Sequence, residues 1–223
     1  MQAPQVVVPF STFSEASLRL RGGVPNTVVR GGSEGGYRDA APLATLAFDG
    51  PPAEVTFEGN QVEVDFHATL LGGLFGLCTL GAEIALSPQL PWRIRITGGV
   101  EHLTMDLSSV ALRSFEMKGG VRASKLVLPR PVGTVQVEIT GGVSEIEIVR
   151  PAGVPLAFEL HGGGSDLRID DLALGAVGRV AWQTPSFDEA TDRYLVKIRG
   201  GASRATIAVA PDVDPAFPRE VAV

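Results

Sequence analysis

Pairs of glycine residues recur along the second half of the chain at a nearly constant interval. They are Gly98-Gly99, Gly119-Gly120, Gly141-Gly142, Gly162-Gly163 and Gly200-Gly201. The first four pairs start 21, 22 and 21 residues apart, and the fifth follows after 38 residues. A fixed period near 20 residues is typical of stacked units that cannot bury their apolar sides alone. The last interval indicates one further repeat that carries an insertion.

Apolar side chains alternate with polar ones on both sides of every pair. Around the Gly141 pair, Val137 and Ile139 precede the glycines, and Ile146 and Ile148 follow them. Alternation with a period of two predicts β-strands with one buried face. Ile139 and Ile146 are seven residues apart, so both can face inward only if the chain bends between them. Glycine adopts the positive φ angles of such a bend without the cost of about 1–2 kcal/mol that other residues meet.

These patterns predict an all-β fold, a single-domain β-solenoid of parallel coils of about 21 residues with the ten paired glycines at its corners. The alternative is a β-sandwich, because strands also recur here every 8–12 residues or so. We expect an N-terminal extension over residues 1–16, a solenoid domain over 17–210 and a C-terminal tail over 211–223. The regular repeats occupy 92–210, and the domain is less regular over 17–91.

The less regular half still contains recognisable local signals. A degenerate repeat surrounds Gly22-Gly23, and residues 53–66 predict a hairpin that turns at Glu58-Gly59-Asn60. The insertion over 182–193 is expected to project from the last coil. Open ends of a solenoid expose strand edges, so we expect the irregular N-terminal half and the tail to cap them, or the ends to stack on one another.

Three segments carry the repeat most clearly: LPWRIRITGGVEHLTMDLSSVALRS, PRPVGTVQVEITGGVSEIEIVRPAGVP and DRYLVKIRGGASRATI. This set of motifs resembles the bacterial putative-adhesin, or toast-rack, β-solenoid domains over residues 83–209. The resemblance implies short stacked strands in a free-standing bacterial protein or in the soluble part of a membrane-tethered regulator of envelope stress. It implies no catalytic residues, since none are established for that group. The chain differs from the tethered members because it has no clear transmembrane span.

Composition and charge exclude several partners. A net charge of −6 argues against nucleic acid and anionic membranes as partners. Cys78 is the single cysteine, so an internal disulfide is impossible.

The uncharged run that begins at Ala68 is 15 residues long, shorter than the ~20 residues of a membrane span, although Gly72 and Gly76 form a GxxxG spacing. The N-terminus lacks signal-peptide features, which predicts a cytoplasmic protein; the alternative is a soluble domain at the cell envelope.

The sequence predicts no catalytic, cofactor-binding or metal-binding residues. His67, His102 and His161 have no second ligand at a metal-binding spacing. The segment from His161 to Asp170 resembles a calcium-binding glycine-aspartate repeat, but His161 and Arg168 break that pattern and it does not recur. We therefore expect no cofactor, and we expect the histidines at the surface or at strand edges.

One set of outward positions forms a candidate interaction surface. Stacked coils are expected to align Arg95, Glu116, Glu138 and Glu159 in one outer column. Three acids among four residues could bind a basic partner or a cation. More often such a column is a solvated face.

Three functions are compatible with these observations. The first is a non-enzymatic structural or protein-interaction module of the adhesin-like or envelope-stress kind, which binds a protein partner or itself through faces or ends. The second is a scaffold that forms filaments by head-to-tail stacking. The third is a polysaccharide-acting β-helix enzyme, which is disfavoured because Trp92 and Trp182 flank coils and do not form an aromatic stripe.

Overall fold

The computed structural model describes residues 5–10, 13–32, 42–50, 53–66 and 81–211, and these residues form an all-β fold. The strands of its first half are β1 (Gln5–Val8), β2 (Ala16–Arg21), β3 (Val24–Pro25), β4 (Thr27–Gly31), β5 (Ala44–Asp49), β6 (Glu54–Glu58), β7 (Gln61–Asp65), β8 (Gly81–Leu86), β9 (Trp92–Thr97), β10 (Val100–Glu101) and β11 (Thr104–Asp106). Those of its second half are β12 (Leu112–Lys118), β13 (Val121–Val127), β14 (Thr134–Thr140), β15 (Val143–Arg150), β16 (Leu156–Leu160), β17 (Gly164–Ser165), β18 (Leu167–Ile169), β19 (Leu172–Leu174), β20 (Val180–Gln183), β21 (Arg193–Arg199) and β22 (Ala202–Val209).

The strands form two large sheets, and each repeat contributes to both. Strands that precede a glycine pair lie in the smaller sheet, in the order β20-β16-β21-β14-β12-β9-β2-β7-β6. Strands that follow a pair lie in the larger sheet, in the order β1-β5-β8-β4-β11-β13-β15-β22-β18-β19, with β3, β10 and β17 pairing beside this path. Pairs between repeats are parallel, for example β12 with β14 and β13 with β15. Antiparallel pairs occur only toward the ends of the two sheets within the described ranges.

The inward residues predicted from alternation form one apolar core that draws on both sheets. In β14, Val135, Val137 and Ile139 are buried, whereas the residues between them are exposed or half-buried. Ile146 is also buried, so the seven-residue spacing from Ile139 does place both side chains inside. The predicted hairpin is β6–β7, in which Glu58 pairs with Gln61.

The repeats do not stack in the order in which they occur along the chain. Strand β21 of the Gly200 repeat pairs with β14 on one side and with β16 on the other. The Gly200 repeat therefore lies between the Gly141 and Gly162 repeats, and its expected place at the end of the stack is wrong. At the other end β2 lies between β7 and β9, so the later β7–β8 unit lies outside the earlier Gly22 repeat.

The long interval between the last two glycine pairs explains this order. After β18 the chain reverses into β19, which pairs antiparallel with β18, and then into β20, which pairs antiparallel with β16. These two strands cover the outer side of the Gly162 repeat. The chain then returns on the inner side, where the apolar faces of β21 and β22 complete the core between their two neighbours.

The reordering also corrects the predicted acidic column. Glu138 and Glu159 both pair in register with Lys197, so a lysine lies between the two glutamates. Lys197 Nζ is 3.2 Å from Glu159, and Glu116 contacts Arg95 at 2.6 Å. Glu116 and Glu138 pair directly in register, but Lys197 separates Glu138 from Glu159, so the expected unbroken row of three acids is wrong.

Both ends of the stack are covered by antiparallel strands. The irregular N-terminal half caps one end with β6 in the smaller sheet and with β5 and β1 in the larger one, as expected. Strands β19 and β20, most of whose residues precede the predicted insertion over 182–193, cap the other end, a role that is expected of the tail from the sequence. Several sequence-predicted features, namely His67, Gly72, Gly76, Cys78 and residues 212–223, lie outside the described residues.

Two buried polar groups tie the Gly200 repeat to its surroundings. Arg150 is only 4% exposed and donates hydrogen bonds to the carbonyl of Val154 and to Asp170, both at 2.6 Å. Because β22 lies between β15 and β18, this ion pair reaches across the inserted strand. The buried Tyr194 hydroxyl donates a 2.8 Å hydrogen bond to the carbonyl of Pro129. Burial raises the pKa of Tyr194, which keeps the phenol protonated as that donor.

We expect Ile139→Ala to lower the free energy of unfolding by roughly 2–5 kcal/mol, because it removes fully buried methyl groups and leaves a cavity between three paired strands. Denaturant unfolding followed by circular dichroism measures this loss. The matched control is Gln136→Ala on the exposed face of the same strand, which should stay within about 0.5 kcal/mol of the parent. Equal losses of unfolding free energy in the two variants would contradict the assignment of Ile139 to the buried face of β14 and of Gln136 to the exposed face.

Candidate functional site

The first glycine of each pair lies in a column where backbone passes over backbone. Gly98, Gly119, Gly141 and Gly200 have φ angles of 126°, 141°, 139° and 148°. A Cβ on any of them would come within 3.0 Å of the carbonyl of the first glycine in the adjacent repeat. The column runs, in spatial order, through Gly22, Gly98, Gly119, Gly141, Gly200 and Gly162. Both the φ angle and the close approach therefore require glycine at most of these positions.

The second glycine of each pair is in a different environment. A Cβ on Gly99 or Gly142 would meet no atom within 4 Å, and on Gly120, Gly163 or Gly201 it would only reach ordinary contact distance. Their φ angles also lie outside the left-handed region. The carbonyl of each second glycine accepts a hydrogen bond from a backbone N–H of an adjacent repeat. The Gly120 carbonyl, for example, accepts one from Val100 N at 2.8 Å. Neither space nor backbone strain within the fold requires glycine here.

The second glycines form the floor of an open groove of about 1040 Å³. Its lining comes from five stacked segments, 99–101, 120–122, 142–144, 163–165 and 201–203, with Gly23, Val24 and Val177 at its ends. Glu101 and Arg122 form an ion pair of 3.6 Å on one part of the rim, and Ser144 accepts a 3.3 Å hydrogen bond from Ser203 on another. The groove is thus shallow and bare of side chains along its floor.

A second bend follows four residues after each first glycine, and sequence reasoning missed it. The residues at this bend share positive φ angles although they are not glycine: Asn26, His102, Ala123, Glu145, Asp166 and Arg204. Such a conformation costs of order 1–3 kcal/mol each, and here the paired strands on both sides hold it in place. The two bends enclose the short segments that line the groove. No residue type marks the second bend, so only the constant offset from the glycines could have indicated it.

The outer carboxylates with shifted pKa values are held in their ionised form. A hydrogen bond from Lys118, together with the charge of Arg95, lowers the pKa of Glu116. A hydrogen bond with His161, followed by one from Lys197, lowers the pKa of Glu159. A lowered pKa disfavours the proton-donor role of a general acid at neutral pH.

The remaining candidate residues are dispersed. His102 lies at a second bend, whereas His161 lies beside Glu159 with 2.9 Å between Nε2 and Oε2. In the calcium-like segment, Asp166, which matches the aspartate of the pattern, lies at a second bend, and Asp170 is engaged by Arg150. Trp92 is buried and donates a 2.8 Å hydrogen bond to the carbonyl of Ser87. Over the described ranges, no three His, Cys, Asp or Glu side chains meet at metal-binding distance, and no helix is long and apolar enough to cross a bilayer.

No protein-family model matches the chain, and no curated protein matches it. A solved structure from Clostridium sporogenes ATCC 15579, described as a putative cell adhesion protein, is similar in fold, with a TM-score of 0.69 at 17% identity over 94% of this chain and 99% of that one. This similarity confirms the resemblance to adhesin-type structures at the level of the all-β fold. A putative adhesin from Bacteroides fragilis NCTC 9343 has a TM-score of only 0.25, at 11% identity over 93% of this chain and 97% of that one, and supports no inference.

The two glycines of one pair should respond oppositely to substitution. We expect Gly119→Ala to lower the free energy of unfolding by more than about 3 kcal/mol, because its φ of 141° and the overlying Gly98 carbonyl both exclude a Cβ. Gly120→Ala should leave stability unchanged or raise it by up to about 1 kcal/mol, because it restricts only the unfolded chain. Thermal and denaturant unfolding measure both. Similar losses in the two variants would refute the assignment of distinct environments.

Proposed function

We propose that this chain is a non-catalytic, adhesin-like interaction module built as a β-solenoid. Three features support the solenoid form: parallel pairing from repeat to repeat, the contribution of each repeat to both sheets, and the first-glycine column at the corner. In this proposal the ten paired glycines mark the corners, and residues 17–210 form the domain. These boundaries, and a location in the cytoplasm or at the cell envelope, stay predictions from the sequence.

The observation that carries the proposal is the pairing of charged side chains between repeats on the outer faces. Arg95 pairs with Glu116, Lys125 with Glu147, and Arg199 with Glu138, in each case joining adjacent repeats. Each exposed pair adds little to stability, about 0–1 kcal/mol. Together the pairs place charged side chains of both signs across several repeats, which suits contact with a macromolecule.

The groove over the second glycines is the proposed contact region. Its floor is backbone without side chains, so an elongated partner can approach the sheet corner closely across several repeats. The similar structure from Clostridium sporogenes is described as a putative cell adhesion protein, and this description agrees with a contact role. We therefore propose that this chain also acts by adhesion to a macromolecular surface.

Substitution in the groove tests this function. We expect saturable binding of the protein to a panel of immobilised cell-surface proteins and glycans, measured by surface plasmon resonance. Gly120→Phe should abolish that binding with no loss of thermal stability, because its side chain would project into the groove and not into the fold.

The matched control is Gln136→Phe, which adds the same ring on an exposed face away from the groove. It should retain full binding. Binding that survives Gly120→Phe, or the absence of binding to the whole panel, would contradict the proposed contact region. Turnover in a screen of chromogenic glycosides and peptides would contradict a non-catalytic role.

Self-assembly is the second candidate function, and the ends of the stack favour it. Strands β1 and β6 at one end, and β19 and β20 at the other, each pair on one side only within the described part of the chain. Val7 and Phe57 are 56% and 50% exposed at the first end, and Leu172 is 39% exposed at the second. Open edges with exposed apolar side chains can pair head to tail into filaments.

Light scattering across protein concentration tests this assembly. If it occurs, the apparent mass should rise with concentration in the parent protein. Phe57→Lys should suppress that rise, because it places a charge on the edge strand. Val28→Lys, on a residue that is 40% exposed away from the ends, should not. A constant monomer mass in all three proteins would exclude filament formation.

A further inference from the structure

A second cleft lies at the edge of the stack opposite the glycine groove. The groove lies where the chain passes from the smaller sheet to the larger one, whereas this cleft lies where it passes back. The cleft has a volume of about 170 Å³ and is lined by Pro91, Ala111, Leu112, Arg113, Arg130 and Val132. Two arginine residues thus line the cleft beside aliphatic residues, on a chain whose net charge is −6.

Arg113 reaches the cleft because of a β-bulge. The register between β12 and β9 pairs Leu112 with Trp92 and then Ser114 with Arg93, which leaves Arg113 as the extra residue. A bulge redirects the side chain of that residue, and bulges are common beside functional sites. The nearby Glu15 forms its ion pair with Arg93, which donates to both of its carboxylate oxygens at 2.9 and 3.1 Å, and Arg113 acts on Glu15 only through its charge, which helps to lower the pKa of that carboxyl.

Arg130 is held on a rigid turn. It lies between Pro129 and Pro131, whose rings restrict the backbone on both sides. The buried Tyr194 hydroxyl fixes this turn through its hydrogen bond to the Pro129 carbonyl. Within the part of the chain that the structure describes, neither the Arg113 side chain nor the Arg130 side chain forms an ion pair or a hydrogen bond.

The opposite wall is fixed as firmly. The amide of Trp92 donates a 2.8 Å hydrogen bond to the carbonyl of Ala111, next to Leu112. The Trp92 side chain is itself buried and bonded to Ser87. A site whose walls are already ordered loses little conformational entropy when it binds.

Val132 gives the cleft its apolar character. It is 66% exposed, whereas Val154, at the matching place in the following turn, is only 5% exposed. An exposed valine beside two unpaired arginines suits a ligand that carries a carboxylate next to an aliphatic group. Phosphate or sulfate would gain from the arginines but nothing from this wall.

We propose that this cleft anchors an acidic peptide segment of a partner protein, with a glutamate or aspartate carboxylate between Arg113 and Arg130 and a neighbouring aliphatic side chain against Val132. A volume of 170 Å³ corresponds to about six water molecules and is smaller than most small-molecule sites. The cleft therefore accommodates one side chain of a larger partner. Paired charges and guanidinium hydrogen bonds supply the recognition. The anchor is independent of the glycine groove, so either proposal can fail alone.

The test uses the full chain labelled with ¹⁵N and the peptide acetyl-Val-Glu-Val-amide as the probe. We expect saturable shifts of the Nε–H signals of Arg113 and Arg130 in NMR titrations. The matched peptide acetyl-Val-Gln-Val-amide should bind about tenfold more weakly or worse, because it lacks the charge. R113Q and R130Q should each weaken binding of the glutamate peptide by roughly tenfold, and V132S should weaken it to a smaller extent.

The control variant is R168Q, which removes another exposed arginine at a distant place in the larger sheet. It should bind the peptide as the parent does, and thermal unfolding should show all four variants folded. Equal binding of the glutamate and glutamine peptides, or unchanged binding in R113Q and R130Q, would overturn the proposal. Inorganic phosphate that binds as tightly, with no effect of V132S, would show a simple anion site and would also overturn it. Shifts with polygalacturonate and none with the peptide would assign the cleft to an acidic glycan instead.

Discussion

The close passage of one backbone over another at the first glycines is the constraint on which the rest of the structure depends. The carbonyl of each first glycine occupies the space that a Cβ on the next would need. This contact fixes where each repeat turns, and it therefore sets the in-register parallel pairing of both sheets. The apolar side chains can then align into one core, because the inward and outward alternation of side chains restarts at the same position after the corner in every repeat.

The glycine contact and the in-register pairing determine the shape of each repeat, but they do not determine its place in the stack. Any repeat with alternating apolar residues and a first glycine can lie beside any other, since backbone hydrogen bonds carry no information about chain order. At the far end, the observed order is accompanied by two specific side-chain contacts. The buried ion pair of Arg150 with Asp170 and the Tyr194 hydrogen bond both form with the Gly200 repeat between its two neighbours.

These relations explain how much could be predicted from the sequence. Period and alternation were sufficient to predict an all-β fold, the buried face of strands such as β14, and the hairpin of β6 and β7. The order of the last two repeats could not be predicted, because a 38-residue interval fits a projecting loop as well as a reversal. The second bend was missed because its residues, among them His102 and Glu145, share no chemistry. The cleft at Arg113 depends on a bulge, which alternation alone does not indicate.

The insertion of a later repeat between two earlier ones has a consequence for synthesis of the protein. A ribosome releases the Gly141 and Gly162 repeats before β21 and β22, the strands that separate them in the finished molecule. Until those strands emerge, the apolar faces of the two earlier repeats lack their native neighbour, and pairing them directly would produce a wrong stack. This part of the stack thus assembles only after β21 and β22 have emerged, with non-local contacts that form slowly.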